Sequence, residues 1–262
     1  MENFEENNLN KKKIIEENRK KADERLEEYK KEQTERFKGL SEEKSLEHNE
    51  YKNNFIETLA PDYIKAVIDP DFYEKNKERL NGYLLLKNKL KGSNLVDLGC
   101  GGPSSAELAY KFASAFDVEK YIGVEKYLYG SNSGEKESYE KGDYDNNIKK
   151  ILEQDTKNIL PKYEFSLNKD MLAFLSERTE QSNFLISGIS REILMPSFSF
   201  ASENQKMYQE YVEDLENQIS RLTPKGGIVI VNHSFIDLEK LGFKKSYLTN
   251  SDNEEELIWE KI

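Results

Sequence analysis

The chain is predicted to fold as an α/β protein, a doubly wound and mostly parallel sheet with a C-terminal antiparallel hairpin strand, preceded by an N-terminal helical extension. Three observations predict it. Short apolar runs of strand length recur from residue 94 onward, with helically spaced segments between them. The first, Asn-Leu-Val-Asp-Leu-Gly-Cys-Gly-Gly at 94–102, runs directly into a glycine cluster. The last two flank a short polar turn instead of a helix. Parallel strands need helical crossovers, and strands covered on both faces read as continuous apolar runs.

Val96 and Leu98 belong to the first strand, with Asp97 near its end. Gly99, Gly101 and Gly102 then turn the backbone into a helix expected to begin near Ser104. Glycines let the main chain approach a ligand closely, and a helix start presents unpaired N–H groups, so the turn reads as a nucleotide-like site or as an ordinary strand-to-helix connection. A second strand, Tyr-Ile-Gly-Val-Glu at 121–125, ends in Glu125. That spacing from the glycines suits a carboxylate that accepts both hydroxyls of a ribose, the alternative being a solvated strand-end acid. Lys126 and Tyr127 follow it.

A helix over 146–160 leads to a third strand at 163–167 and then to Asp170 and Met171. Met171, Leu172, Phe174 and Leu175 open an amphipathic helix, which makes Asp170 a helix N-cap, alone or together with a ligand role. The fourth strand, 183–190, carries Ser187 and Ser190 at its carboxyl end, with Arg191 and Glu192 next. Ligands of open α/β sheets lie beyond such ends. The helix over 202–221 presents Met207, Tyr211, Leu215, Ile219 and Leu222 at spacings of three and four, and Pro224-Lys225-Gly226-Gly227 turns it into the strand Ile228-Val229-Ile230-Val231. His233 follows that strand. Residues 243–248 and 257–259, either side of an Asn-Ser-Asp-Asn turn, form the terminal hairpin.

In this order the segments from about residue 91 to 262 resemble the class I S-adenosylmethionine-dependent methyltransferases, whose first motif reads acid-x-Gly-x-Gly-x-Gly after the first strand. Asp97, Gly99 and Gly101 match it, and Pro103 stands at the last glycine, where a helix start accepts proline. The resemblance implies a Rossmann-like fold with S-adenosylmethionine as cofactor. It implies a cofactor site of Asp97, Gly99, Gly101, Gly102, Glu125, Asp170, Met171 and Ser187, with Glu125 on the ribose, Asp170 on the adenine amino group and Met171 against the ring. Ser190 and Arg191 are then expected on the acceptor side. His233 is the candidate base, or a histidine packed at a strand end. The acceptor is expected to be a small molecule or a protein. The Asn/Asp-Pro-Pro-aromatic signature of amino-methylating relatives is missing after the fourth strand. A nicotinamide or flavin fold is disfavoured by Ser104 in place of its third glycine and by the reversed hairpin. The alternative function is a catalytically silent fold of this kind that binds a protein through its N-terminal helix.

With 36% hydrophobic residues and a net charge of −11 over 262 residues, the chain buries one substantial core under a charged surface, which disfavours phosphate backbones as partners. Its one cysteine, Cys100, excludes an internal disulfide and suits a reducing compartment, where it reads as a small buried filler of the glycine turn. Two histidines, His48 and His233, do not make a metal site. No apolar run is long enough to span a bilayer and no secretory signal pattern opens the chain, so a cytoplasmic location is expected.

The first ninety residues divide in two. Residues 1–40 are dominated by Lys, Glu, Asn and Arg, with Ile15, Leu26 and Phe37 at an eleven-residue period that keeps one stripe in line on a nearly straight helix. Arg19 and Gln33 fall on that stripe, which favours a solvated helix over a coiled coil while leaving it able to dock on a partner or a second copy. Residues 41–90 read as a helical lid over the ligand cleft: one helix with Leu46, Tyr51, Phe55, Ile56 and Leu59, then two more punctuated by Pro61 and Pro70, the last running to Leu90. Residues 129–145, rich in Gly, Ser, Tyr and Glu, are expected to form an inserted loop near the cleft.

Overall fold

Five apolar runs become neighbouring parallel strands, and a C-terminal pair closes one side of the sheet. The computed structural model describes residues 55–126, 140–153, 155, 160–186, 202–232, 236–248 and 256–262. Its elements are α1 (Phe55–Ile68), α2 (Pro70–Asn76), α3 (Tyr83–Leu90), β1 (Asn94–Leu98), α4 (Pro103–Ala115), β2 (Lys120–Glu125), α5 (Lys141–Leu152), β3 (Lys162–Leu167), α6 (Met171–Ser176), β4 (Asn183–Ile186), α7 (Ser202–Leu222), β5 (Ile228–Asn232), β6 (Phe243–Tyr247) and β7 (Glu256–Lys261). The chain divides into two compact units, Asn49–Ile189 with Asp214–Ile262, and Met1–His48 with Ser190–Glu213. Of the second, the first half of α7 is described. The expected helix over 1–40 and the segment 41–54 lie outside the described residues.

The sheet runs in the order β3-β2-β1-β4-β5-β7-β6. β1 to β5 are mutually parallel, with Asp97 opposite Gly123 and Glu125 opposite Leu167, while β7 runs antiparallel between β5 and β6. The reversed strand distinguishes this sheet from the dinucleotide-binding order and gives the chain the Rossmann-like, mostly parallel sheet with an antiparallel C-terminal hairpin that its sequence predicts.

Alternating side chains bury both faces. Leu95, Tyr121, Leu185, Ile230 and Ile258 join a core with Ala106, Tyr110, Phe112 and Ala113 of α4 and with Tyr63, Tyr83, Leu86 and Leu90. The alternate set, Val96, Ile122, Val124, Phe184, Ile186, Val229 and Val231, is equally buried. α7 is tied to α6 by the Arg221 guanidinium, which donates to the Leu175 carbonyl at 3.0 Å. At the start of β4, buried Asn183 staples three segments: its amide donates to the Lys89 carbonyl and to Ser93 Oγ, and its oxygen accepts from the Ile228 N–H at 2.7 Å. A buried amide whose donors and acceptor are all used fixes its neighbours in register.

Three expected elements differ. The boundary read at Pro61 is absent, because α1 runs through that proline from Phe55 to Ile68. The helix read from Pro70 to Leu90 is two helices, because the chain breaks at 77–82 where the Gly82 N–H donates to the Leu248 carbonyl at 3.0 Å. The helix read over 146–160 instead spans Lys141–Leu152, so that Asp143, Tyr144 and Asp145, read as part of a loop, are helical. Asp143 starts it early by accepting the Glu140 N–H at 2.8 Å. The described part of the 41–90 segment packs into the core at the far end of α4 from the glycine turn. Tyr63 and Tyr83 lie against Phe116, which ends α4, with ring centroids 6.5 and 5.9 Å away. The Tyr63 hydroxyl donates to the Leu248 carbonyl.

Candidate functional site

The strand order reverses at β1, which pairs with β2 on one side and β4 on the other, so the crevice beyond the carboxyl ends of these strands is where the fold places a ligand. The turn Gly99-Cys100-Gly101-Gly102 lies at that end. Gly99 and Gly101 have φ of 75° and 70°, the left-handed region where a Cβ is strained, which is why glycine stands at both. Gly102 is the N-cap of α4 in extended conformation, and Pro103 follows at the first helical position.

The loop is held against β2. The N–H groups of Gly99 and Cys100 donate to the Val124 carbonyl at 2.8 and 3.1 Å. The Gly101 N–H donates to Glu125 Oε2 at 2.9 Å. The Gly101 carbonyl accepts from the Tyr144 hydroxyl at 2.8 Å. Cys100 is 1% exposed and its Sγ lies against the space above Gly123, where a Cβ would sit 2.7 Å from the Phe165 ring and 3.1 Å from Cys100 Sγ. Burial, reinforced by the carboxylates of Asp97 and Glu125, pushes that thiol well above its ordinary range, as suits a filler.

Asp97 is completely buried and accepts from the Tyr121 hydroxyl at 2.8 Å across the β1–β2 pair. Burial, and next the Asp97 charge, raise the Tyr121 phenol well above its usual value. Asp170 caps α6: its Oδ1 accepts from the N–H groups of Leu172 and Ala173 at 3.0 and 3.2 Å, and its Oδ2 lies 3.7 Å from Lys126 Nζ. Met171 is the first residue of α6 and is half-buried. The structure thus gathers Asp97, Gly99, Gly101, Gly102 and Glu125 at the ends of β1 and β2. Asp170 and Met171 stand beyond β3, linked to the end of β2 through Lys126. Ser187, Ser190, Arg191 and His233 lie outside the described residues.

Three contributors were missed in the sequence. Tyr144 stood in a stretch read as a loop. Tyr121 and Phe165 were visible as strand residues, but their partners depend on strand register. The arrangement offers half-buried carboxylates at Glu125 and Asp170, a turn whose one side chain, Cys100, is buried in the core, and the N–H groups of a helix start. Among the described residues no group of three His, Cys, Asp or Glu could hold a metal ion, and no helix is long and apolar enough to cross a membrane.

No protein-family model and no curated protein matches the sequence. Among solved structures the chain is similar to MnmC2 from Aquifex aeolicus, at 14% identity and a TM-score of 0.42 over 70% of this chain and 58% of that one. It is also similar to NSun6 from Pyrococcus horikoshii, solved with SFG, at 9% identity and a TM-score of 0.37 over 68% of this chain and 50% of that one. A third is precorrin-6y C5,15-methyltransferase from Geobacter metallireducens GS-15, at 10% identity and a TM-score of 0.35 over 68% of this chain and 87% of that one. The chain thus spans 58% and 50% of the length of the first two.

Proposed function

We propose that this chain binds S-adenosylmethionine at the carboxyl ends of β1 to β3 and transfers its methyl group to a small-molecule or protein acceptor. The observation that carries the reading is the Gly101–Glu125 pair: a glycine turn in left-handed conformation, closed by an acid at the end of the next strand, on a sheet whose last strand is reversed. A charged acceptor beside a backbone free of side chains suits a nucleoside, whose ribose offers two donors and whose chain must lie close to the turn.

On this reading Glu125 holds the ribose hydroxyls, Gly99 to Gly102 and the start of α4 take the amino-acid portion, and Asp170 with Met171 borders the adenine. Asp170 keeps one oxygen for its cap, so its adenine role falls to Oδ2, which Lys126 also approaches. The bound sulfonium supplies a methyl group already activated for transfer. The protein's part is to orient the acceptor in line and exclude water, which for well-oriented reactants accounts for about 7–11 kcal/mol of barrier. Ser187, Ser190 and Arg191, which follow β4, are assigned to the cofactor's reactive end and the acceptor. Where the acceptor must lose a proton, His233, which follows β5, is assigned to take it.

Calorimetry with S-adenosylhomocysteine tests the reading. The wild-type chain is expected to bind saturably and Glu125→Ala to bind at least tenfold more weakly, since each hydrogen bond to a charged group contributes about 1.5–3 kcal/mol. Absence of wild-type binding would overturn the proposal. Unchanged affinity in Glu125→Ala would remove that residue from the site.

A further inference from the structure

We propose that Tyr144 is a positioning residue for the cofactor, acting through the Gly101 carbonyl to set the glycine turn; the role rests on the function proposed above. Gly101 is anchored from both sides. Its N–H is held by Glu125 at 2.9 Å and its carbonyl by the Tyr144 hydroxyl at 2.8 Å, so the two peptide groups that meet at its Cα have separate partners on separate elements. A glycine is free in both dihedrals, and one anchor would leave the second peptide able to rotate. Two anchors hold φ at 70° without help from a side chain.

Tyr144 is built for that task. It is completely buried in the first turns of α5, where Asp143 fixes the helix start, and its ring packs on Phe165 at 5.1 Å between centroids. Phe165 in turn occupies the space that a side chain at Gly123 would fill. A line of contacts therefore runs from β2 through β3 and α5 back to the turn after β1, with every member in van der Waals or hydrogen-bond contact. The consequence falls on Glu125. Glu125 presents its carboxylate to the ribose from a fixed turn only while Tyr144 holds the other peptide of Gly101, so the two anchors act jointly.

Tyr144→Phe in the full chain tests this, because it removes the hydroxyl and keeps the ring. Amide hydrogen exchange of the ligand-free protein is expected to quicken severalfold over residues 98–104 while β4 and β5 keep wild-type protection. Affinity for S-adenosylhomocysteine is expected to fall about five- to tenfold, the worth of one neutral hydrogen bond. That loss should shrink toward nothing in a Glu125→Ala background, because both residues act on Gly101; a residue that only stabilises the fold would give equal losses in both backgrounds. Phe165→Leu, which loosens the ring holding Tyr144 but keeps the hydroxyl, is expected to give the same effects more weakly and replaces the first variant should that one fail to fold. Wild-type exchange over 98–104, or an affinity loss independent of Glu125, would overturn the role of Tyr144. Wild-type binding with unchanged affinity in the variant would overturn it too and leave the cofactor reading standing, whereas a wild-type chain that does not bind overturns both.

Discussion

The Tyr121 hydroxyl donates to Asp97 across neighbouring strands at 2.8 Å, with both side chains completely buried. The acid of the glycine motif is thereby engaged from within the sheet, and its carboxylate braces β1 against β2 just before the turn. Tyr121→Phe removes that donor from a buried charged acceptor and is expected to lower stability by about 1–3 kcal/mol in urea unfolding. An unchanged midpoint would show that the other partners of Asp97 carry it.

Alkaline pH should destabilise the fold. Burial raises the Tyr110 phenol to about 12 from its ordinary 10.0, and Tyr121 and Cys100 move in the same direction. An acid whose folded value lies above its unfolded value keeps its proton longer in the folded state. Unfolding then releases protons, and stability falls as pH rises from the unfolded value toward the folded one. For Tyr110 that window runs from 10.0 to about 12. Thermal midpoints measured from pH 9 to 12 are expected to fall, with a shallower slope above pH 10 in Tyr110→Phe; equal slopes would remove Tyr110 from the effect.

Cys100 should resist thiol reagents in the native protein. The thiolate is the reactive form, and here the thiol is buried and its ionisation opposed by two neighbouring carboxylates. Labelling by a disulfide reagent at pH 8 is expected to be slow and to follow the rate of unfolding. Rapid labelling of folded protein would mean that the glycine turn opens locally.

Asp170 separates its two roles by substitution. Asn caps a helix about as well as Asp, whereas Ala costs about 1 kcal/mol. Asp170→Asn is therefore expected to keep the unfolding midpoint and to weaken S-adenosylhomocysteine binding modestly, while Asp170→Ala lowers both. Wild-type affinity in the Asn variant would confine the residue to capping α6.

The parts of the fold written in short local patterns were legible. An apolar run ending in Gly-Cys-Gly-Gly specifies its own strand and turn, and the reversed hairpin announces itself by a polar turn between β-branched and aromatic residues. The break before α3 was not legible, because a hydrogen bond from Gly82 to Leu248, remote in sequence, decides it. Tyr144 was hidden for a related reason: its stretch is rich in residues that favour turns, and its helix starts early through a side-chain contact of Asp143. Glu125 was legible as the acid that ends the second strand at a set distance from the glycines. Its partnership with the Gly101 N–H was not, since that depends on how the turn is folded.

The reversed β7 also governs the order in which the sheet can be assembled. β5 and β6 run in the same direction, and the described part of the connection between them holds only a 3-10 turn at Glu239–Leu241 and no crossover helix, so they do not pair with each other. Until the ribosome has released residues 256–261, β6 has no partner and β5 presents an open, strongly apolar edge to other nascent chains. A truncation before residue 256 would thus leave two strands exposed instead of one lost, and the truncated product should go to aggregates or proteases rather than persist as a weakened protein.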